Sequence, residues 1–231
     1  MVAMQQNAFS LDRFLVTDDV SLSASGGTWT DYGLDRAFAP FLSRLHVCGA
    51  DPLEFDATLR PGWLSRYIMT TQFTWPLPDP IRQIGFGLIR RADQAAEAYE
   101  DGRRELQAYI QTEPTTRMYR YSRALGHFET CLASTYQGWM HVRAFHREKL
   151  SLFEKGDGSD VERLNALYNA SKHADERLEA GEGADESTLL IWFTNAGLES
   201  KKTALEFKEL RKLVDQLSRI ANKVALGPQS V

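Results

Sequence analysis

Two long runs with helical spacing dominate the chain. From Ile81 onward, Ile84, Leu88, Ala92, Ala95, Tyr99, Leu106 and Tyr109 recur every three or four residues, the period of one face of an α-helix. After Pro114 a second run places Met118, Leu125, Leu132 and Trp139 seven apart, with Tyr121, Phe128 and Val142 between them. Two such helices joined by a short turn can only pack back on each other as an antiparallel hairpin. The fold class that follows is all-α: an antiparallel bundle of about four or five helices over residues 81–225, within a domain 81–231. Gly102 weakens the first helix.

Lys155-Gly156-Asp157-Gly158 breaks the pattern, and Ser159 with Glu162 reads as a capping box opening a third helix. That helix is expected to run to about Leu178 and to stop in Gly181-Glu182-Gly183. Leu189 to Phe193 reads as a short extended run, and a last helix is expected from about Ser200, with Leu210, Leu213, Leu217, Ile220 and Val224 on one stripe. Residues 1–80 read as an irregular N-terminal segment packed on the bundle. Within it a loop is expected over Ser21–Thr30, one helix over Leu34–Val47 and another beginning near Pro61. Trp75-Pro76-Leu77-Pro78-Asp79-Pro80 reads as an extended connector, and Trp63, Tyr67, Phe73 and Trp75 as the aromatic contact to the bundle.

Hydrophobic residues make up 43% of the 231-residue chain, which is globular rather than disordered. No apolar run reaches the length of a membrane span and no signal-peptide pattern opens the chain, so a cytoplasmic protein away from membranes is expected. The two cysteines, Cys48 and Cys131, read as reduced thiols. The net charge of −4 is uneven: residues 1–80 carry −4, residues 81–150 carry +3 with three of the five histidines, and residues 151–231 carry −3. A modestly basic middle is compatible with touching phosphates, far short of a dedicated nucleic-acid binder.

The third helix carries the best functional candidates. With Leu164 at zero on a helical wheel, Val161, Leu167, Tyr168, Ser171, Ala174 and Leu178 share its arc, whereas Asn169 lies at about 140° and His173 at about 180°. An Asn and a His four apart share a face, here the face the core does not use. The imidazole can move a proton and the amide can orient a phosphate. Ala166, at about 200°, permits close approach, so this face is expected to line a cleft or a seam between two copies of the helix in a homodimer. Lys172 and Arg163 on the same helix are candidate binding residues.

The second helix offers His127 and His141, fourteen apart and nearly on one face, with Ser134 between them and Cys131 four after His127. A His-x-x-x-Cys pair could hold zinc, but four ligands are needed and neither Cys-x-x-Cys nor His-Glu-x-x-His occurs. No metal or other cofactor is expected. Arg120, Arg123, Arg143 and Arg147 make a basic surface near those histidines. Gly85-Phe86-Gly87 lacks the strand and third glycine of a dinucleotide loop, and no Gly-x-Ser-x-Gly is present.

A helix hairpin followed by a helix with Asn-x-x-x-His resembles the HEPN superfamily of helical bundles. Arg163 through His173 and Leu190-Ile191-Trp192-Phe193-Thr194-Asn195-Ala196-Gly197-Leu198 are also similar to a group of uncharacterised bacterial proteins. The likeness covers residues 81–225. The superfamily's ribonuclease motif is Arg, a polar residue, three variable residues and His. Here Tyr168 stands where the Arg belongs, followed by Asn169 and His173. The resemblance therefore implies a binding or regulatory module, linked to RNA or to a toxin–antitoxin or defence system, with RNA or protein as partner. The rival it implies is a metal-independent ribonuclease with His173 as general acid/base, Asn169 on the phosphate, and Arg163, Arg120 or Arg143 replacing the missing cation. A small-molecule enzyme using His127 and His141 is a third class.

Overall fold

The computed structural model describes Asp35 and residues 38–111, 114–146, 151–174, 176 and 189–227, with the side chains of 114–117 left aside. The loop expected over Ser21–Thr30 and the helix stop at Gly181-Glu182-Gly183 lie outside the described residues. The rest is mainly helical: α1 (Trp63–Met69) runs into a π-turn (Thr70–Thr74), followed by α2 (Asp79–Gln111), α3 (Pro114–Phe145) and α4 (Asp160–Lys172). A small antiparallel sheet, β1 (Trp192–Phe193), β2 (Gly197–Glu199) and β3 (Ala204–Glu206), leads into α5 (Phe207–Leu226). Among the described residues no helix is long and apolar enough to cross a membrane.

The α2–α3 hairpin is the frame. α2 buries Leu88, Ala92, Ala95, Ala96, Tyr99, Leu106 and Tyr109, and its run of alanines lets α3 come close. Gly102 is part of that fit: a Cβ there would stand 2.8 Å from the Phe128 ring of α3. The glycine that lowers helix propensity thus makes room for an aromatic ring. α5 lays Leu210, Leu213, Val214, Leu217, Ala221 and Val224 on the frame. Between them sits an aromatic cluster in which Phe128 and Phe193 touch edge to face with centroids 5.5 Å apart, with Tyr121 and Phe207 beside them. The Phe193 amide donates to the Tyr121 hydroxyl at 3.2 Å, fixing the sheet to the hairpin.

Several expected boundaries move, each for a local reason. Within the helix expected over Leu34–Val47, Asp35 is helical, but residues 38–41 are not, and Leu42–Arg44 forms only a 3-10 turn. Pro40 disfavours a helical Ala39, and Phe41 takes a left-handed φ of 70°. Downstream, Asn195 captures the backbone: its Oδ1 accepts from the amides of His46 (3.1 Å) and Val47 (3.0 Å), while its carbonyl accepts from Gly49. The last helix begins at Phe207 rather than Ser200. Ala204–Glu206 alternates exposed, buried, exposed, which suits a strand, and Glu206 with Glu209 forms the capping box that starts α5. Asp79 and Pro80 belong to the first turn of α2 instead of the connector, where proline's missing N–H has no helical partner to lose. The helix near Pro61 is a 3-10 segment, Ala57–Gly62, continued by α1. Of the four expected aromatic contacts, Trp63 and Tyr67 are buried and Trp75 packs on Phe145, but Phe73 points into solvent.

Candidate binding cleft on helix α4

The cleft begins with how α4 is started. Ser159 Oγ accepts from the Glu162 amide at 3.2 Å, one half of a capping box. The other half is diverted. Asp157 Oδ1 accepts from the Ser159 amide at 2.8 Å, and Glu162 turns back to accept from the amides of Gly156 and Gly158. Both glycines have positive φ, 88° and 67°, which glycine adopts without a steric penalty. The Ser159 hydrogen bonds hold the Asp157 carboxyl below the usual carboxylate range. This folded loop stands beside the polar face of α4.

Between them opens a cleft of about 360 Å³. Glu162, Asn165, Ala166 and Asn169 of α4 form one wall, Phe153 and Lys155 of the loop a second, and Ser200, Lys202 and Thr203 of the β2–β3 turn the third. Asn169 Nδ2 donates to Asn165 Oδ1 at 3.1 Å, which leaves the Asn169 carbonyl oxygen and the Asn165 amide group for a ligand. Ser200 Oγ folds the turn by accepting from the amides of Lys202 and Thr203. Lys155 and Lys202 are exposed and make no ion pair among the described residues. Glu162 is occupied by the two glycine amides. The cleft therefore offers two cations, two amides, the Thr203 hydroxyl and one aromatic ring, with the Glu162 carboxylate and the internally bonded Ser200 hydroxyl also in its lining.

His173 is the C-cap of α4, one turn beyond Asn169, whose carbonyl accepts from its amide. It lies outside the cleft lining, and its Nδ1 is 2.9 Å from Glu176 Oε2. α4 itself ends at Lys172 and His173 is a turn, but Ala174 and Glu176 are again helical, and the expected end at Leu178 lies outside the described residues. Leu164 and Leu167 are fully buried, and Tyr168 stacks on Tyr136 with centroids 5.3 Å apart. Lys172 is exposed in the last turn. Ala166 lines the cleft of its own chain.

Two of the three replacement cations, Arg163 and Arg120, are engaged elsewhere. Arg163 reaches Asp160 at 2.8 Å and Glu209 of α5 at 2.7 Å. Arg120 and Arg123 share Glu105 of α2, at 2.8 and 3.1 Å. Arg143 is half-buried near the end of α3, and Arg147 lies outside the described residues. Arg103 pairs with Glu100 and Arg104 with Asp101, so much of the excess positive charge of the middle segment is neutralised within the hairpin.

The histidines of α3 do not form one site. Fourteen residues of helix separate His127 from His141 by about 21 Å. His127 borders a small polar hollow with Asp101, Arg104, Glu105 and Arg123, while the His141 ring packs on Gly87. Burial, with Arg91 nearby, lowers the His141 pKa. Ser134 between them is buried. Cys131 is sealed in the core, its thiol pushed up to about 12 by burial, so it cannot join His127 on a metal. Among the described residues no three His, Cys, Asp or Glu side chains gather as metal ligands.

Glu129 of α3, at the seam with α4, has its carboxyl raised by burial, with the Ser171 hydrogen bond acting the other way. A carboxyl raised in the folded state adds stability below the ordinary glutamate range, and that contribution is lost as pH rises through the folded pKa. Glu129→Gln is therefore expected to be more stable than wild type at neutral pH and to lose that advantage at acidic pH. Thermal unfolding of both proteins across this range checks it; an advantage that grows on acidification contradicts the assignment.

No protein-family model, curated protein or solved structure matches the chain. The site therefore rests on its own geometry. The wheel of α4 points to the Asn face but not to Phe153, Lys155, Ser200, Lys202 or Thr203. Lys155 sits in a segment that reads only as a helix break, and Ser200 in one that reads as a helix start. The sole local signal for the third wall is the Ser200-x-x-Thr203 turn.

Proposed function

We propose that this chain is a HEPN-like binding module without strong catalytic activity, and that its α4 cleft takes the phosphate-bearing backbone of RNA. The observation that carries this reading is the convergence of Lys155 and Lys202 with Asn165 and Asn169. Lysines attract a phosphate as point charges, amides donate and accept at its ester and sugar oxygens, and Phe153 offers a face for a base to stack on. The commitment of Arg163 and Arg120 to carboxylates argues against catalysis, which needs a cation on the scissile phosphate. One observation favours the rival ribonuclease: the His173–Glu176 contact could orient an imidazole for proton transfer.

Anisotropy titration of a labelled single-stranded RNA tests the reading. The double variant Lys155→Glu/Lys202→Glu is expected to weaken binding by at least about tenfold and to flatten the salt dependence by about 1.4 log units per log unit of salt. Lys223→Glu, an exposed lysine on α5, is the control and is expected to bind much closer to wild type. Absence of RNA binding by wild type, or equal losses in the double variant and the control, would end the proposal.

A further inference from the structure

We propose that the corner formed by α1, its π-turn and the start of α2 is a two-fold interface between two copies of this chain. Seven large apolar side chains are exposed among the described residues, and five gather here: Phe73 (71% exposed), Met69 (58%), Ile68 (52%), Phe86 (40%) and Leu226 (39%). Leu226 belongs to the group because the carbonyl of Ala225 accepts from Thr70 of the π-turn. A groove of about 320 Å³ lies between α1 and α2, walled by Tyr67, Ile68, Thr71 and Phe86 and by Gln72, the chain neighbour of Phe73. The same surface thus carries a projecting ring and a hollow able to receive one, which is the self-complementarity a two-fold contact demands.

The corner is held ready. Tyr67 fixes the groove floor by donating to the Arg82 carbonyl at 2.9 Å. The π-turn closes with the Trp75 amide on the Thr70 carbonyl at 2.7 Å, and its wider turn presents Phe73 outward. At about 200 Å² per whole side chain, the five residues leave roughly 500 Å² of apolar surface in water. A standard-size interface buries about 800 Å² per partner, and homodimer interfaces are about 65% apolar, so full burial of the patch supplies the apolar part of a contact at the small end of what homodimers bury. The rim carries both signs, Arg82 beside Asp79 with Gln72 and Gln83. In a two-fold arrangement such a mixed rim, with Arg82 already paired to Asp79 in its own chain, meets its copy without a like-charge clash. A partner of one charge would call for a rim of the opposite sign.

Light scattering across the micromolar range tests the interface independently of RNA binding. The expected mass is twice the 26.2 kDa of one chain. Phe73→Ser is expected to raise the dissociation constant by at least about tenfold with an unchanged circular dichroism spectrum, since that side chain stands in solvent. Tyr119→Ser and Val47→Ser, exposed apolar residues outside the corner, are expected to leave the dimer intact. A monomeric wild type, a dimer indifferent to Phe73→Ser, or a dimer equally weakened by Tyr119→Ser overturns the proposal. A monomer that sediments with phosphatidylcholine–phosphatidylserine vesicles does so too, and assigns the corner to a lipid surface instead.

Discussion

Gly197→Ala is expected to destabilise the fold by about 3 kcal/mol, the upper end of the usual effect of forcing an extra carbon into a packed site. A Cβ at Gly197 would stand 2.2 Å from the Leu205 carbonyl oxygen and 2.8 Å from the Glu206 Cα. Both are backbone atoms of β3, so no side chain can swing aside. Gly197 pairs with Glu206 in the sheet register, and the Phe207 amide donates to the Ala196 carbonyl one step away. Parting these strands would pull at the start of α5 and at Phe193, hence at the aromatic cluster. Thermal unfolding should show a midpoint lower by roughly 10 °C. A midpoint within a degree or two of wild type would mean that the sheet yields freely and does not anchor α5.

Asp215→Ala is expected to cost about as much, roughly 3 kcal/mol. Asp215 lies on the buried side of α5, and its carboxylate accepts from the amides of Glu54 at 3.2 Å and Phe55 at 2.9 Å. Those two donors belong to the irregular segment before α1. Alanine would leave them facing a small void. Asparagine keeps one acceptor oxygen and should lose less. Denaturant unfolding of both variants separates the cases: equal, small losses would show that residues 54 and 55 are not held by this carboxylate.

The long periodic stretches were readable because burial alone sets their spacing. α2 and α3 end within a few residues of where the apolar stripe and Pro114 place them. Residues 38–55 were not, because their conformation depends on distant partners. Leu34 to Val47 has helical spacing, yet Pro40 and the left-handed Phe41 break it, and Asn195, far along the chain, supplies the acceptors that hold the extended backbone. The strands hold two or three residues each, too few for alternation to be seen before the register is known. The same distinction divides the cleft. Its α4 wall is periodic and local, so a helical wheel finds Asn169 and Ala166. The facing wall comes from the β2–β3 turn, and only tertiary packing brings Lys202 opposite Asn165.

We propose that the α4 cleft holds RNA without cutting it. Cleavage without a metal needs a base, an acid and a cation at the phosphate, and Tyr168, where the resembling motif has Arg, is stacked on Tyr136. The most direct measurement incubates end-labelled mixed-sequence RNA with wild type and with His173→Ala, chelator present, and resolves bound and cut RNA on parallel native and denaturing gels. RNA that is shifted and intact is expected with both proteins. Robust cleavage by wild type that disappears in His173→Ala would contradict it.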